Sequence, residues 1–159
     1  MATEYKSRRE AELYEEIYKN VKMGASSIID LTSRVEGGEL RAELSRELEG
    51  YEGLAREARQ ALDELGVTPK EESVVARLSA KAGLMMNTML DATPSHVAQM
   101  VIEGSTMGST DLRRKLKEFC AEVGEESRKA EALARRAVEF EEDCIEKMKS
   151  YLYFTLYQK

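Results

Sequence analysis

One histidine, two cysteines, two prolines and no tryptophan in 159 residues rule out several common chemistries at once. A lone imidazole, His96, excludes any site built on paired histidines. Two cysteines cannot form a disulfide framework, and Cys120 and Cys144 are too far apart in the chain for a Cys-x-x-Cys zinc or redox pair. They fall near the end of one expected helix and in the middle of the next, at different heights, so two reduced thiols are expected. No run reaches the roughly 18 uninterrupted apolar residues that a membrane span requires. Met1 to Glu12 is charged throughout and carries no secretory pattern, which makes the cytoplasm the expected compartment. A net charge of -6 argues against binding a phosphate backbone, which needs Lys and Arg clustered on one face. The densest basic run, Arg113, Arg114, Lys115 and Lys117, is followed at once by Glu118 and Glu122, and reads as a solvated helix face. Nucleophile elbows, P-loops and dinucleotide fingerprints are absent.

What is present is helical pattern. Apolar residues make up 42% and charged residues 34%, a balance that suits a helical globular chain better than a disordered one, and the length fits a single domain spanning 1–159. The spacing predicts a first helix over about Glu4 to Val35, on Tyr14, Ile17, Tyr18, Val21, Ala25, Ile28 and Val35, stopped by Gly37-Gly38. A second runs from about Glu39 to Leu65, on Leu40, Leu44, Leu48, Tyr51, Leu54, Ala55, Ala58 and Leu62, and ends at Gly66. A third covers about Lys70 to Leu90. Asp91-Ala92-Thr93-Pro94 breaks the pattern, with Thr93 as the cap and Pro94 as the first residue of the next helix, which continues to about Gly124. The last runs from about Glu125 to Tyr157. Short connections imply an antiparallel, up-down bundle of four long helices with an extra or kinked segment near Thr93-Pro94. The glycines at Gly104 and Gly108 offer a second place where the chain could break.

Three acids interrupt the apolar stripes. Glu141 lies at the centre of the last helix's apolar face, with Ala130, Ala134, Ala137, Val138, Cys144, Ile145, Met148 and Leu152 within roughly 60° of it. Glu47 sits in the stripe of the second helix and Glu10 beside Tyr14 in that of the first. A buried carboxylate requires a metal, a cation, hydrogen bonds or its own proton. The candidate metal set is Glu141, Glu47 and Cys144, which makes Glu-x-x-Cys where di-iron bundles carry Glu-x-x-His. The alternative is that each acid pairs with a Lys, an Arg or a Tyr hydroxyl, or hangs at the stripe's edge with its head in water.

Further candidates surround Glu141. His96 falls in the first turn of the helix that Thr93 opens, where free N–H groups favour anions and a neutral imidazole, so it is a candidate ligand-binding group as well as a candidate cap. Gly104 and Gly108 each cost a helix about 1 kcal/mol relative to alanine. Close approach of another helix would compensate for them; if the last two helices pair, Gly108 lies level with Glu141, and the small residues either let that helix pack tightly or leave a notch for a ligand, a metal with waters, or a neighbouring side chain. Met85, Met86, Met89, Met100 and Met107 suit either an adaptable binding surface or an irregular core. The tail Tyr151 to Tyr157 is apolar on more sides than one helix face can bury, which points to a homo-oligomer, with a dimer through the last helix the simplest form.

Pro94-Ser95-His96-Val97-Ala98-Gln99-Met100, Ile102-Glu103-Gly104-Ser105-Thr106-Met107-Gly108 and Phe140-Glu141-Glu142 together resemble small bacterial members of the ferritin-like four-helix-bundle proteins. The resemblance implies an all-α bundle and allows a divalent metal site, although the histidines of the ferritin ligand set have no counterpart here. Two functions follow. The first is a non-enzymatic, homo-oligomeric interaction or ligand-binding protein without a cofactor. The second is a degenerate ferritin-like protein that binds a metal through buried carboxylates.

Overall fold

A computed structural model of the chain describes residues 2–36, 38–69, 93–123 and 128–152. Among these residues the chain is all-α, with four helices and no strand: α1 Ala2–Thr32, α2 Gly38–Glu64, α3 Pro94–Val123 and α4 Arg128–Leu152. The expected helix over Lys70 to Leu90, with Met85, Met86 and Met89, lies outside the described residues, as does the tail beyond Leu152.

Local chemistry sets the helix ends. After α1 the chain tightens into three-residue turns, with Arg34 N–H donating to the Leu31 carbonyl and Val35 N–H to that of Thr32. Gly66 stops α2 in a left-handed conformation (φ 72°), and Val67 N–H reaches back to the Leu62 carbonyl at 2.9 Å, the bond that closes a glycine-terminated helix. Thr93 caps α3: its Oγ1 accepts from the His96 N–H at 3.4 Å, while its carbonyl accepts from Val97 N–H at 3.0 Å. The expected cap at Thr93-Pro94 is therefore present. The alternative break at the glycines is absent, because α3 continues unbroken through Gly104 and Gly108.

Residue order in the contacts gives the arrangement. Between α1 and α2, the Arg59 guanidinium donates to the Tyr18 hydroxyl, whereas Gly24 lies against the Tyr51 ring. Between α3 and α4, the Ser95 hydroxyl donates to the Leu152 carbonyl, and Gly108 lies against Glu141. Between α1 and α3, Arg9 pairs with Glu122 and the Asn20 amide donates to the Gly108 carbonyl. Between α2 and α4, Glu43 faces Lys147 and Glu57 faces Arg136. In all four pairings the numbers rise on one helix as they fall on the other. The start of α2 and the start of α3 consequently share one end of the molecule.

The core is continuous across all four helices. Ile17, Val21 and Leu31 of α1, Leu44 and Leu62 of α2, Val97 and Leu112 of α3 and Ala134, Ala137 and Met148 of α4 are essentially removed from water. Burial of each large aliphatic side chain contributes on the order of 2 kcal/mol. Outside the core, Arg113 and Arg114 of the basic run are exposed and pair with Glu142 and Asp111, as a solvated face should. No helix among the described residues is long and apolar enough to cross a membrane.

Candidate functional site

The α2–α4 seam carries the polar interior. On α2 the inward residues Leu40, Glu43, Leu44, Glu47, Tyr51 and Leu54 follow helical spacing, so Glu43, Glu47 and Tyr51 stack one turn apart. On α4 Glu141, Cys144 and Met148 do the same from the other side. The two ladders bring Tyr51 to Glu141, Glu47 to Cys144, and Glu43 to Lys147.

Glu141 is 2% exposed. Its Oε1 accepts a hydrogen bond from the Tyr51 hydroxyl at 3.4 Å, at the long end for an O–H donor. The carboxyl group fits against Gly108 on α3: a Cβ at position 108 would lie 2.5 Å from Oε1 and 2.9 Å from the carboxyl carbon. The notch expected from the glycine pattern exists, and the head of Glu141 occupies it. Gly104 does not belong to it, since a Cβ there would meet nothing within 4 Å.

Tyr51 is held as tightly as its acceptor. Its ring lies on Gly24 of α1, where no side chain would fit, and meets the Phe140 ring edge to face at 4.8 Å. Phe140 in turn covers Gly50. Burial pushes the Tyr51 phenol well above its ordinary range, Glu141, Cys144 and Glu47 add to this, and the Ser105 hydroxyl on α3 opposes it. The hydroxyl thus keeps its proton at neutral pH and remains a donor to Glu141.

One turn along the seam the environment changes. Glu47 is also 2% exposed, yet neither of its carboxyl oxygens has a hydrogen-bond partner among the described residues. Burial first, and then the charge of Glu43, raise its carboxyl to about 8 against weaker opposing effects from Lys147 and the Cys144 thiol. Cys144 is a free, buried thiol, held well above its usual range by burial and by the charges of Glu47 and Glu141, which makes it inert rather than nucleophilic. At the outer end of the seam Glu43 binds the exposed Arg46 guanidinium and faces the Lys147 ammonium at 3.8 Å. The seam therefore runs from a fully buried acid to a paired acid at the rim.

Several sequence candidates fall elsewhere. His96 is half-buried in the first turn of α3, 12 residues before Gly108 and so about 18 Å away along the axis, and cannot join Glu141. Glu10 is only half-buried, not an inward acid like the other two. Met107 is 67% exposed and cannot line an interior pocket with Met100, which packs on the core. Cys120 borders an open groove of about 570 Å³ between α3 and α4, with Arg113, Lys117, Arg135 and Glu139 around it and no connection to the seam. Although Glu141, Glu47 and Cys144 do meet on one seam, no three His, Cys, Asp or Glu side chains among the described residues are placed to hold a metal ion together.

Sequence pattern missed three parts of this site. Glu43 stands one turn before Glu47 on the same stripe, and its spacing was the available signal. Gly24 and Gly50 are glycines inside helices, subject to the same argument applied to Gly104 and Gly108, and they mark where aromatic rings pack. Tyr51 was visible as a core residue, but its role as a donor depends on which helix faces α2.

Among the described residues the fold and seam define an all-α four-helix protein with buried acids between α2 and α4. No family model matches the chain, and no curated protein or solved structure does either.

Proposed function

We propose that this chain is a non-enzymatic, ferritin-like helical bundle that acts by binding, as a homo-oligomer, rather than by catalysis. The observation that carries this reading is the Glu141 carboxyl lodged against Gly108 beneath the Tyr51 hydroxyl. A substrate, or a metal with waters, would need that position, and a protein side chain fills it. Support for a ferritin-like topology comes from the order of the contacts. In α1 with α2 and in α3 with α4 the helices run oppositely, while α2 and α3 both oppose α1 and so run the same way.

A second reading is that the same acids hold one divalent ion; among the described residues no three His, Cys, Asp or Glu side chains converge to support it. Metal analysis decides between the two. After incubation with Fe(II), Mn(II) or Zn(II) and gel filtration, the full chain should retain less than about a tenth of an equivalent, because real transition-metal sites hold their ions through such a step. Retention near one equivalent, lost in Glu47→Gln, would overturn the reading. The homo-oligomer rests on the apolar tail that begins at Tyr151 and Leu152, both half-buried at the end of α4. Light scattering should give twice the mass of one chain, and Tyr151→Glu with Leu152→Glu should halve it. A monomer at all concentrations would remove the dimer from the proposal.

A further inference from the structure

Three features place Glu47 in a position that hydrogen bonding does not resolve. It is as deeply buried as Glu141, both its oxygens are without a partner among the described residues, and it stacks between two other acids on the same seam. From its own helix Glu43 adds negative charge one turn outward, and the Tyr51 hydroxyl one turn inward is engaged with Glu141. From α4 it faces the neutral Cys144 thiol and feels Lys147, whose ammonium stands out at the rim beside Glu43, and the Tyr151 phenol. From α1 and α3 the buried residues nearest in register are Ile28, Leu31, Val101 and Ser105, none of which titrates. Among the described residues a carboxylate so placed has no solvent and only the weak Cys144 thiol beside it, and water or a strong donor is worth far more than that thiol or this exposed ammonium supplies.

We propose that the folded chain holds a proton on Glu47 at neutral pH, and that surrendering it loosens the seam between α2 and α4. The inference rests on the metal-free reading above, since a bound cation would neutralise Glu47 instead. The sign follows from linkage. The folded state keeps this proton up to about pH 8, while the unfolded chain releases it near the ordinary glutamate value. Over that interval the folded form binds more protons, so the stabilisation is complete at low pH and is lost as pH rises toward 8. Each pH unit costs about a factor of ten in the folding constant. Opening of the seam, the local event that lets Glu47 ionise, becomes more favourable by the same factor.

The test compares the full-length wild type with Glu47→Gln, which keeps the shape and cannot ionise. Urea unfolding at pH 5.5, 7.0 and 8.5 should show the wild-type folding constant falling relative to the variant by on the order of a hundredfold in total. A ratio constant to within about threefold would overturn the proposal. Repeating the series with EDTA separates the two claims: a profile that changes on chelation sinks the metal-free reading, whereas a flat ratio both with and without EDTA sinks the proton. Cys144 reports on the seam itself. In a Cys120→Ser background its alkylation rate should rise more steeply with pH in the wild type than in Glu47→Gln, and equal slopes would contradict the loosening. Should Glu47→Gln fail to fold, infrared spectra of the wild type alone decide. A protonated-carboxyl band at pH 7 that disappears above about pH 9 is expected, and its absence at pH 7 would overturn the assignment.

Discussion

Glu141 and Glu47 occupy the same seam, one turn apart, at the same 2% exposure, and yet their surroundings differ in kind. Around Glu141 three helices contribute: α2 brings the Tyr51 hydroxyl, α3 removes a side chain at Gly108, and α1 makes room for the Tyr51 ring at Gly24. Around Glu47 the described residues assemble nothing comparable, and its neighbours across the seam and one turn outward are a thiol and another acid. Equal burial thus produces two solutions, a hydrogen bond in a shaped notch for one acid and a retained proton for the other. Burial alone does not say how a charge is neutralised; the partners do.

Substitutions that erase one side of this contrast should have graded effects. The largest is expected from Tyr51→Ala, which empties the space over Gly24, removes the contact with Phe140 and takes the phenolic hydrogen bond from Glu141, for about 3–5 kcal/mol of lost stability in chemical denaturation. Tyr51→Phe isolates the donor and should cost about 1–3 kcal/mol. Next comes Glu47→Gln, expected to stabilise the fold at pH 8.5 and to lose that advantage at about 1.4 kcal/mol per pH unit on acidification.

The glycines sharpen the same comparison at smaller magnitude. Gly108→Ala pushes a methyl into the Glu141 carboxyl and should destabilise by about 1–3 kcal/mol, whereas Gly104→Ala, one turn away with open space beside it, should stabilise by up to about 1 kcal/mol through helix propensity. Thermal melts of the two variants should therefore shift in opposite directions. The smallest effect belongs to the exposed Arg136–Glu57 bridge, bidentate at 2.7 and 2.9 Å. Its hydrogen bonds hold the Glu57 carboxyl below the usual range, so its contribution is present above the ordinary glutamate value and lost as pH falls through the lowered one. Solvent screening limits it to less than about 1 kcal/mol, and Arg136→Ala should leave the melting profile nearly unchanged at neutral pH.

The fold was largely legible because helical signals are local. Gly66, Thr93 and Pro94 act within a few residues of themselves, and each ends or starts a helix where its backbone chemistry requires. The spacing of Glu141 likewise reveals a buried acid without knowledge of any other helix. Its partner was not legible, because Tyr51 lies 90 residues away and reaches it only through the register of α2 on α4. His96 shows the converse: its local setting at a helix start was read correctly, but its distance from the seam follows from the length of α3 and not from its neighbours. The notch was legible in part. A glycine in a helix signals close approach, yet only the three-dimensional arrangement separates Gly108, which receives a carboxyl, from Gly104, which receives nothing.

The claim that these interior acids are neutralised from within is tested most directly by following every glutamate carboxyl through a pH titration, using side-chain 13C labelling and NMR. The expected result is a resonance that stays in the protonated position at pH 7, titrates near 8 and is missing from Glu47→Gln. If every glutamate resonance instead titrates in the ordinary range, at roughly pH 4–5, Glu47 holds no proton and the account of the seam is wrong.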